Sequence, residues 1–199
     1  QEQAEFEQFM GEFSNAFTNL KKKGHLTIKQ SGLEADDLAA WIVGKKEQFG
    51  IDEIWLISSD KDWDLLIQDK VSRFSTVTRK EITLDNWDDH YDIEPDKYLT
   101  LKCLAGDTGD NVPGISGIGP KRAVSLIEQY GDLFDIYNAC PIDSKYKFIQ
   151  SLNENADRLL LNAELMDLES YSEQALIEAD MDLEDLSSQI QEYLNEVRD

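Results

Sequence analysis

The sequence predicts an α/β fold, with a sheet-containing part over residues 1–106 and an all-helical part over residues 107–199. Three observations carry this. The run Ile54-Trp55-Leu56-Ile57 is short and apolar throughout, the pattern of a strand buried on both faces of a parallel sheet. Residues 71–78 and 81–84 are β-rich and meet at Arg79-Lys80, as in a hairpin. Past Gly106 the apolar spacing is helical, interrupted by glycines and acidic turns.

Taken in order, Phe6, Phe9, Met10, Phe13, Phe17 and Leu20 repeat at a helical period, which predicts a helix packing one face on a core. Lys21-Lys22-Lys23-Gly24 ends it, with cations suited to a helix C-terminus and glycine as the stop. Residues 25–29 read as a short strand. Glu34, Asp36 and Asp37 then open an amphipathic helix. Acids there cap a helix and favour its dipole, but three in four positions repel one another unless a cation compensates. Ser59-Asp60-Lys61-Asp62-Trp63-Asp64 follows the strand 54–57 directly, where open α/β sheets place their sites. Alternation lets Asp60 and Asp62 face the same way if the chain stays extended. Arg73, Arg79 and Lys80 read as surface cations, and His90 has no ligand partner at useful spacing. Pro95 opens a helix that Gly106 stops, and residues 121–130 form another with Ala123, Val124, Leu126 and Ile127 inward. Residues 133–138 and 183–197 complete the helical pattern.

The totals remove some classes of function. The chain has 199 residues, enough for a substantial core, and lacks the long apolar run of a membrane span. No signal peptide is visible in the charged first residues, and the two cysteines, Cys103 and Cys140, have no zinc-ligand spacing. A reduced, cytoplasmic protein with no membrane partner is expected. The formal charge of −22 argues at first against nucleic acid. Residues 150–199, however, hold 14 acids and two bases and so carry −12 of it, leaving −10 for the rest. Seven of the remaining acids are those assigned below to metal, so the charge does not exclude DNA.

The chemistry lies in three carboxylate clusters: Glu34/Asp36/Asp37, Asp60/Asp62 and Asp107/Asp110. Oxygen-only ligands suit hard cations such as Mg²⁺ or Mn²⁺. Two such ions clamp the attacking and leaving oxygens of an in-line displacement and supply hydroxide near neutral pH. The stretch Gly114-Ile115-Ser116-Gly117-Ile118-Gly119-Pro120-Lys121-Arg122 supplies a second half. Its glycines let backbone approach a phosphate, a helix begins at Pro120, and Lys121 and Arg122 attract phosphates without regard to sequence. A tight turn between packed helices is the plainer reading of this stretch taken alone.

Glu34-Ala35-Asp36-Asp37, Ser59-Asp60-Lys61-Asp62-Trp63-Asp64 and the run from Gly106 to Lys121 together resemble the 5′-nuclease family of flap endonucleases and 5′–3′ exonucleases. The bacteriophage enzymes are the nearest members, and the nuclease domains of bacterial DNA polymerase I are similar. The resemblance implies a Rossmann-like (PIN-like) nuclease core followed by a helix–three-turn–helix module. It places Glu34, Asp36 and Asp37 at a first metal and Asp60, Asp62, Asp107 and Asp110 at a second, with Asp36, Asp37, Asp60 and Asp62 as catalytic residues. Gly114, Gly117, Gly119, Lys121 and Arg122 would hold duplex phosphates, and carbonyls near Ile115 and Ile118 would hold potassium. The implied substrates are 5′ flaps and 5′ ends of branched or duplex DNA, and RNA–DNA hybrids, cut in the host cytoplasm if the gene is a phage's.

The sequence also departs from the family pattern. Members begin with two Asp-bearing strands and a basic helical arch, none of which precedes Gln1, so the core is expected to be incomplete. That predicts either an enzyme completed by an N-terminal portion, which a separate polypeptide could supply, or a non-catalytic DNA-binding subunit.

Overall fold

In the computed structural model, residues 2–198 are described. Contacts divide the chain into two compact units: residues 1–34 with 173–199, and residues 35–172.

The first unit holds helix α1 (Glu2–Lys22) and helix α9 (Leu183–Arg198). The aromatic stripe of α1 forms as the spacing predicts, with rings of Phe9 and Phe13 6.5 Å apart and those of Phe13 and Phe17 6.3 Å apart. It does not pack wholly inward, because Phe6 and Phe9 remain 63% and 60% exposed. Residues 25–29 are not a strand; no neighbouring strand offers them a ladder among the described residues. The His25 amide instead donates to the Leu20 carbonyl at the end of α1.

The second unit starts with helix α2 (Ala35–Gly44), whose Ala40 and Val43 pack with Leu56, Leu66 and Val71. Strand β1 (Ile54–Ile57) lies parallel to β2 (Val71–Ser75), pairing Ile54 with Val71 and Ile57 with Phe74. Residues 58–70 make the return, about the length a parallel crossover needs. β3 (Lys80–Ile82) then pairs antiparallel with β2, closing the expected hairpin, with its turn at residues 76–79 and Lys80 already paired with Ser75 rather than at Arg79-Lys80. The expectation that β1 is buried on both faces fails: Leu56 is buried, but Trp55 and Ile57 are 42% and 60% exposed. Trp55 and Ile57 share the face left exposed, and among the described residues β1 pairs with β2 alone and so also has a free edge.

Helix α3 (Tyr98–Ala105) joins two cores. Its Tyr98 packs with Ile67, Ile82 and Trp87, while Cys103 and Leu104 belong to a larger helical core. Gly106 ends α3 with φ +80, a conformation that favours glycine. Short strands β4 (Gly106–Asp107) and β5 (Val112–Pro113) pair antiparallel and lead to helix α4 (Pro120–Tyr130). Helices α5 (Leu133–Ala139), α6 (Lys147–Glu154), α7 (Asp157–Met166) and α8 (Leu168–Glu178) follow. Ile115, Ile118, Ala123, Leu126, Ile136, Ile149, Leu152 and Leu159 share the helical core. Residue 106 thus falls inside one compact unit, and the change from one core to the other comes earlier, within α3.

Candidate metal centre and phosphate-facing turn

Two elements that follow buried structure bring the acids together. The chain leaves β1 and forms one turn of 3₁₀ helix over Asp62–Leu66. This loop is held from below by Arg73 of β2, whose side chain is 4% exposed against 0% for Asp64. The guanidinium grips Asp64 with Nε and with Nη2, the latter at 2.9 Å, and donates from Nη1 to the Ser58 carbonyl at 3.0 Å. Arg73 therefore ties both ends of the acidic loop to the sheet. Burial would lower its pKa, but Asp64 outweighs that and raises it. The Tyr91 hydroxyl also donates to Asp64, and burial with that bond pushes the phenol pKa upward. The reading of Arg73 as a surface cation is thus corrected: Asp64 needs a partner where water cannot reach it.

The loop so fixed presents Asp62, and the turn after α3 presents Asp107 and Asp110. Each of the three offers an oxygen within 4.8 Å of the others, and among the described residues this is the one such group of three or more ligating side chains. Asp107 accepts from the Gly109 amide at 2.7 Å, closing a tight turn around its own carboxylate. Lys102, 5% exposed, donates to Asp62 and lies 2.8 Å from Asp107. Burial would lower the Lys102 pKa; Asp107 and Asp62 reverse that and raise it. The Asp107 pKa is lowered, chiefly by Lys102 and then by the Gly109 amide. Asp110 moves the other way, to about 6, because its carboxyl shares a hydrogen bond with Asp62 and feels its charge. Three carboxylates against one ammonium leave negative charge unbalanced, and an all-oxygen donor set this close fits a hard divalent ion.

The other expected ligands differ in placement. Asp36 and Asp37 occupy the first turn of α2, half-buried, and α2 packs against the Asp62–Leu66 turn. Asp60 is exposed, and its carboxylate accepts the Asp62 amide at 3.0 Å, which shapes the loop. Glu34 is exposed and belongs to the other unit. Lys102 was missed by sequence reasoning; the only signal is a lysine in the apolar run Leu99-Thr100-Leu101-Lys102-Cys103-Leu104.

The glycine-rich turn is anchored by the side chains of Ile115 and Ile118, 3% and 4% exposed. The Ile115 carbonyl accepts the Ile118 amide at 2.9 Å, which closes the turn. Asn162, buried in α7, donates to the Cys103 and Pro113 carbonyls at 2.9 and 3.0 Å and ties the end of α3 to the start of the turn. The three glycines have separate reasons. A Cβ on Gly114 would overlap the backbone of Ala105 and Gly106, so packing alone forbids a side chain. Gly117 has φ +80, and its Cβ would stand 3.4 Å from Phe148. Gly119 has nothing within 4 Å and precedes α4 in extended conformation. Lys121 and Arg122 stand exposed in the first turn of α4, Arg122 donating to the Gly117 carbonyl at 2.5 Å.

With acids and turn in place, comparison with known proteins identifies the class. Residues 93–193 match the family described as 5′-3′ exonuclease, C-terminal SAM fold. The chain belongs to that family. It is 40% identical over 186 residues to a flap endonuclease of Escherichia phage T5, covering 93% of this chain and 63% of that protein. It is 34% identical over 141 residues to DNA polymerase I of Rhizobium leguminosarum, covering 71% of this chain and 14% of the polymerase. The structure superposes on a phage T5 protein co-crystallised with metal ions at TM-score 0.85 and 37% identity, covering 100% of this chain and 72% of that one. A zinc-bound phage T5 5′-exonuclease matches at TM-score 0.84 and 38% identity, covering 98% and 70%. A phage T5 flap endonuclease in a pseudo-enzyme–product complex with DNA and metal ions matches equally, at TM-score 0.84 and 38% identity, again covering 98% and 70%. Among the described residues no helix is long and apolar enough to cross a membrane.

Proposed function

We propose that this chain carries the metal-binding and duplex-holding parts of a divalent-metal-dependent 5′-nuclease acting on 5′ flaps and 5′ ends of DNA. The observation that carries this is the approach of the Asp62, Asp107 and Asp110 oxygens to within 4.8 Å, with the turn that bears Asp107 and Asp110 leading into the glycine-rich turn. Structures of similar proteins with metal ions and DNA support the reading. RNA–DNA hybrids, with the same phosphate backbone on one strand, belong to the same substrate class.

Asp62, Asp107 and Asp110 would hold Mg²⁺ or Mn²⁺, with Asp36, Asp37 and Asp60 of the same compact unit completing a two-ion arrangement. Such ions, when bound, supply Lewis acidity and a water of lowered pKa. The chain's own residues do the positioning. Arg73 and Asp64 fix the Asp62 loop, and Lys102 bridges Asp62 and Asp107. Gly119 leaves the helix α4 N-terminus open to a phosphate, while Lys121 and Arg122 add positive charge beside it. The Ile115 and Ile118 carbonyls of this turn are the proposed seat of a potassium ion.

The unpaired edge of β1 supports completion of the sheet by further strands, and exposed Trp55 and Ile57 a layer over its open face, in the same polypeptide or a separate one. Activity is accordingly expected of the completed core rather than guaranteed to residues 1–199 alone. A labelled 5′-flap substrate with Mg²⁺ and the completed core tests the proposal. Asp62→Asn or Asp107→Asn is expected to lower cleavage at least a hundredfold, about 2.7 kcal/mol of transition-state stabilisation or more. Cleavage indifferent to both substitutions would refute it.

A further inference from the structure

Beside the glycine-rich turn lies a cleft of about 340 Å³, lined by Arg122, Leu126, Tyr130, Asp143, Tyr146 and Phe148 among others. That is within the lower range of pockets that take small organic groups, about 300–1,000 Å³. Its aromatic wall is a stack. The Arg122 guanidinium lies 4.6 Å from the Phe148 ring centroid, and Phe148 lies 5.7 Å from Tyr146 with ring planes 23° apart. Tyr146 is 58% exposed, so this stack stops at solvent. Exposed Lys145 and Lys147 flank it in sequence, with the Lys145 ammonium 5.9 Å from the tyrosine centroid.

We propose that Tyr146 is a stacking site for an unpaired nucleobase on a DNA strand whose phosphates meet Lys145 and Lys147. This rests on the reading of the adjacent turn as a duplex-phosphate site and extends it to the single-stranded part of the substrate. Every base has a π-face, so an exposed aromatic ring between cations binds single strands without reading sequence. Charge decides which part of the nucleotide enters the cleft. Asp143 lines it together with apolar Leu126, Ile142 and Phe148, and the one cation in the lining, Arg122, is engaged by the Gly117 carbonyl and the Phe148 ring, a setting that suits a base better than a phosphate. Phosphates stay outside, where the two lysines are. The connection to the turn is direct, since Arg122 both donates to the Gly117 carbonyl and caps the stack.

The experiment measures binding in chelator, so that nothing is cut, to a blunt duplex and to the same duplex with a single-stranded tail carrying 2-aminopurine. Wild-type protein is expected to quench the probe. Tyr146→Ala should abolish the quenching and weaken the tailed duplex about five- to a hundredfold, the loss of one stacked base. Its blunt-duplex affinity should stay within about twofold, and Tyr146→Phe should behave as wild type. Unchanged quenching and affinity in Tyr146→Ala, or equal weakening of both DNAs, would overturn the proposal. Lys121→Ala tests the turn separately: it should weaken both DNAs. If it weakens neither while Tyr146→Ala still loses quenching, the turn reading fails and the stacking site stands.

Discussion

At the residue scale, Gly114 and Gly119 separate what the fold requires from what a ligand requires. Gly114→Ala would drive a methyl into the Ala105 carbonyl region, so a loss of several kcal/mol of stability is expected in denaturant melts. Gly119→Ala meets open space and should leave stability within about 0.5 kcal/mol while weakening duplex binding severalfold. A Gly119→Ala protein with wild-type duplex affinity would count against phosphate approach at that position. Arg73 makes a second case. Arg73→Met leaves Asp64 buried without its cation, and a cost of about 3–5 kcal/mol is expected. Adding Asp64→Leu should recover much of that, which a double-mutant cycle by urea unfolding would show. The acids of the candidate centre were legible because carboxylates two or three apart are costly without a purpose. Arg73 and Lys102 were not, because a lone cation in a β-rich or apolar run does not say which way it points. Only the partner, nine residues away for Arg73 and 40 for Lys102 with Asp62, gives the direction.

Elements were read best where a start or stop signal stands in the chain. Gly106, Pro120 and Gly131 mark their helices as expected, with Gly106 and Gly131 at φ +80 and +108, whereas Pro95 opens a 3₁₀ turn over Pro95–Lys97 and the α-helix starts only at Tyr98. Helix α5 is held by a capping box in which Asp132 accepts from the Phe134 and Asp135 amides and Asp135 returns the bond. Asp132→Ala is expected to cost about 0.5–2 kcal/mol in thermal or denaturant unfolding, without touching metal binding. Elements were read worst where the outcome depends on neighbours. Residues 25–29 have strand composition but no ladder, and β1 has a two-sided apolar pattern with one face left exposed. Propensity describes a strand's fitness for a sheet and cannot supply the adjacent strand.

On the scale of the whole molecule, the charge of −22 is unevenly distributed and does not by itself decide the partner. Much of it sits in residues 150–199, and part gathers where a cation would be held. Binding of an ion to the folded state alone stabilises it by mass action. At a Mn²⁺ concentration a hundredfold above the dissociation constant, that amounts to about 2.7 kcal/mol and a rise in Tm of roughly 5–10 °C. The most direct measurement is a Mn²⁺ titration followed by electron paramagnetic resonance on the wild-type chain, Asp62→Asn, Asp107→Asn and the exposed control Glu164→Gln. Saturable binding by wild type and Glu164→Gln, weakened at least tenfold in both Asp variants, is the predicted result. Equal binding by all four proteins would contradict a metal centre at Asp62, Asp107 and Asp110.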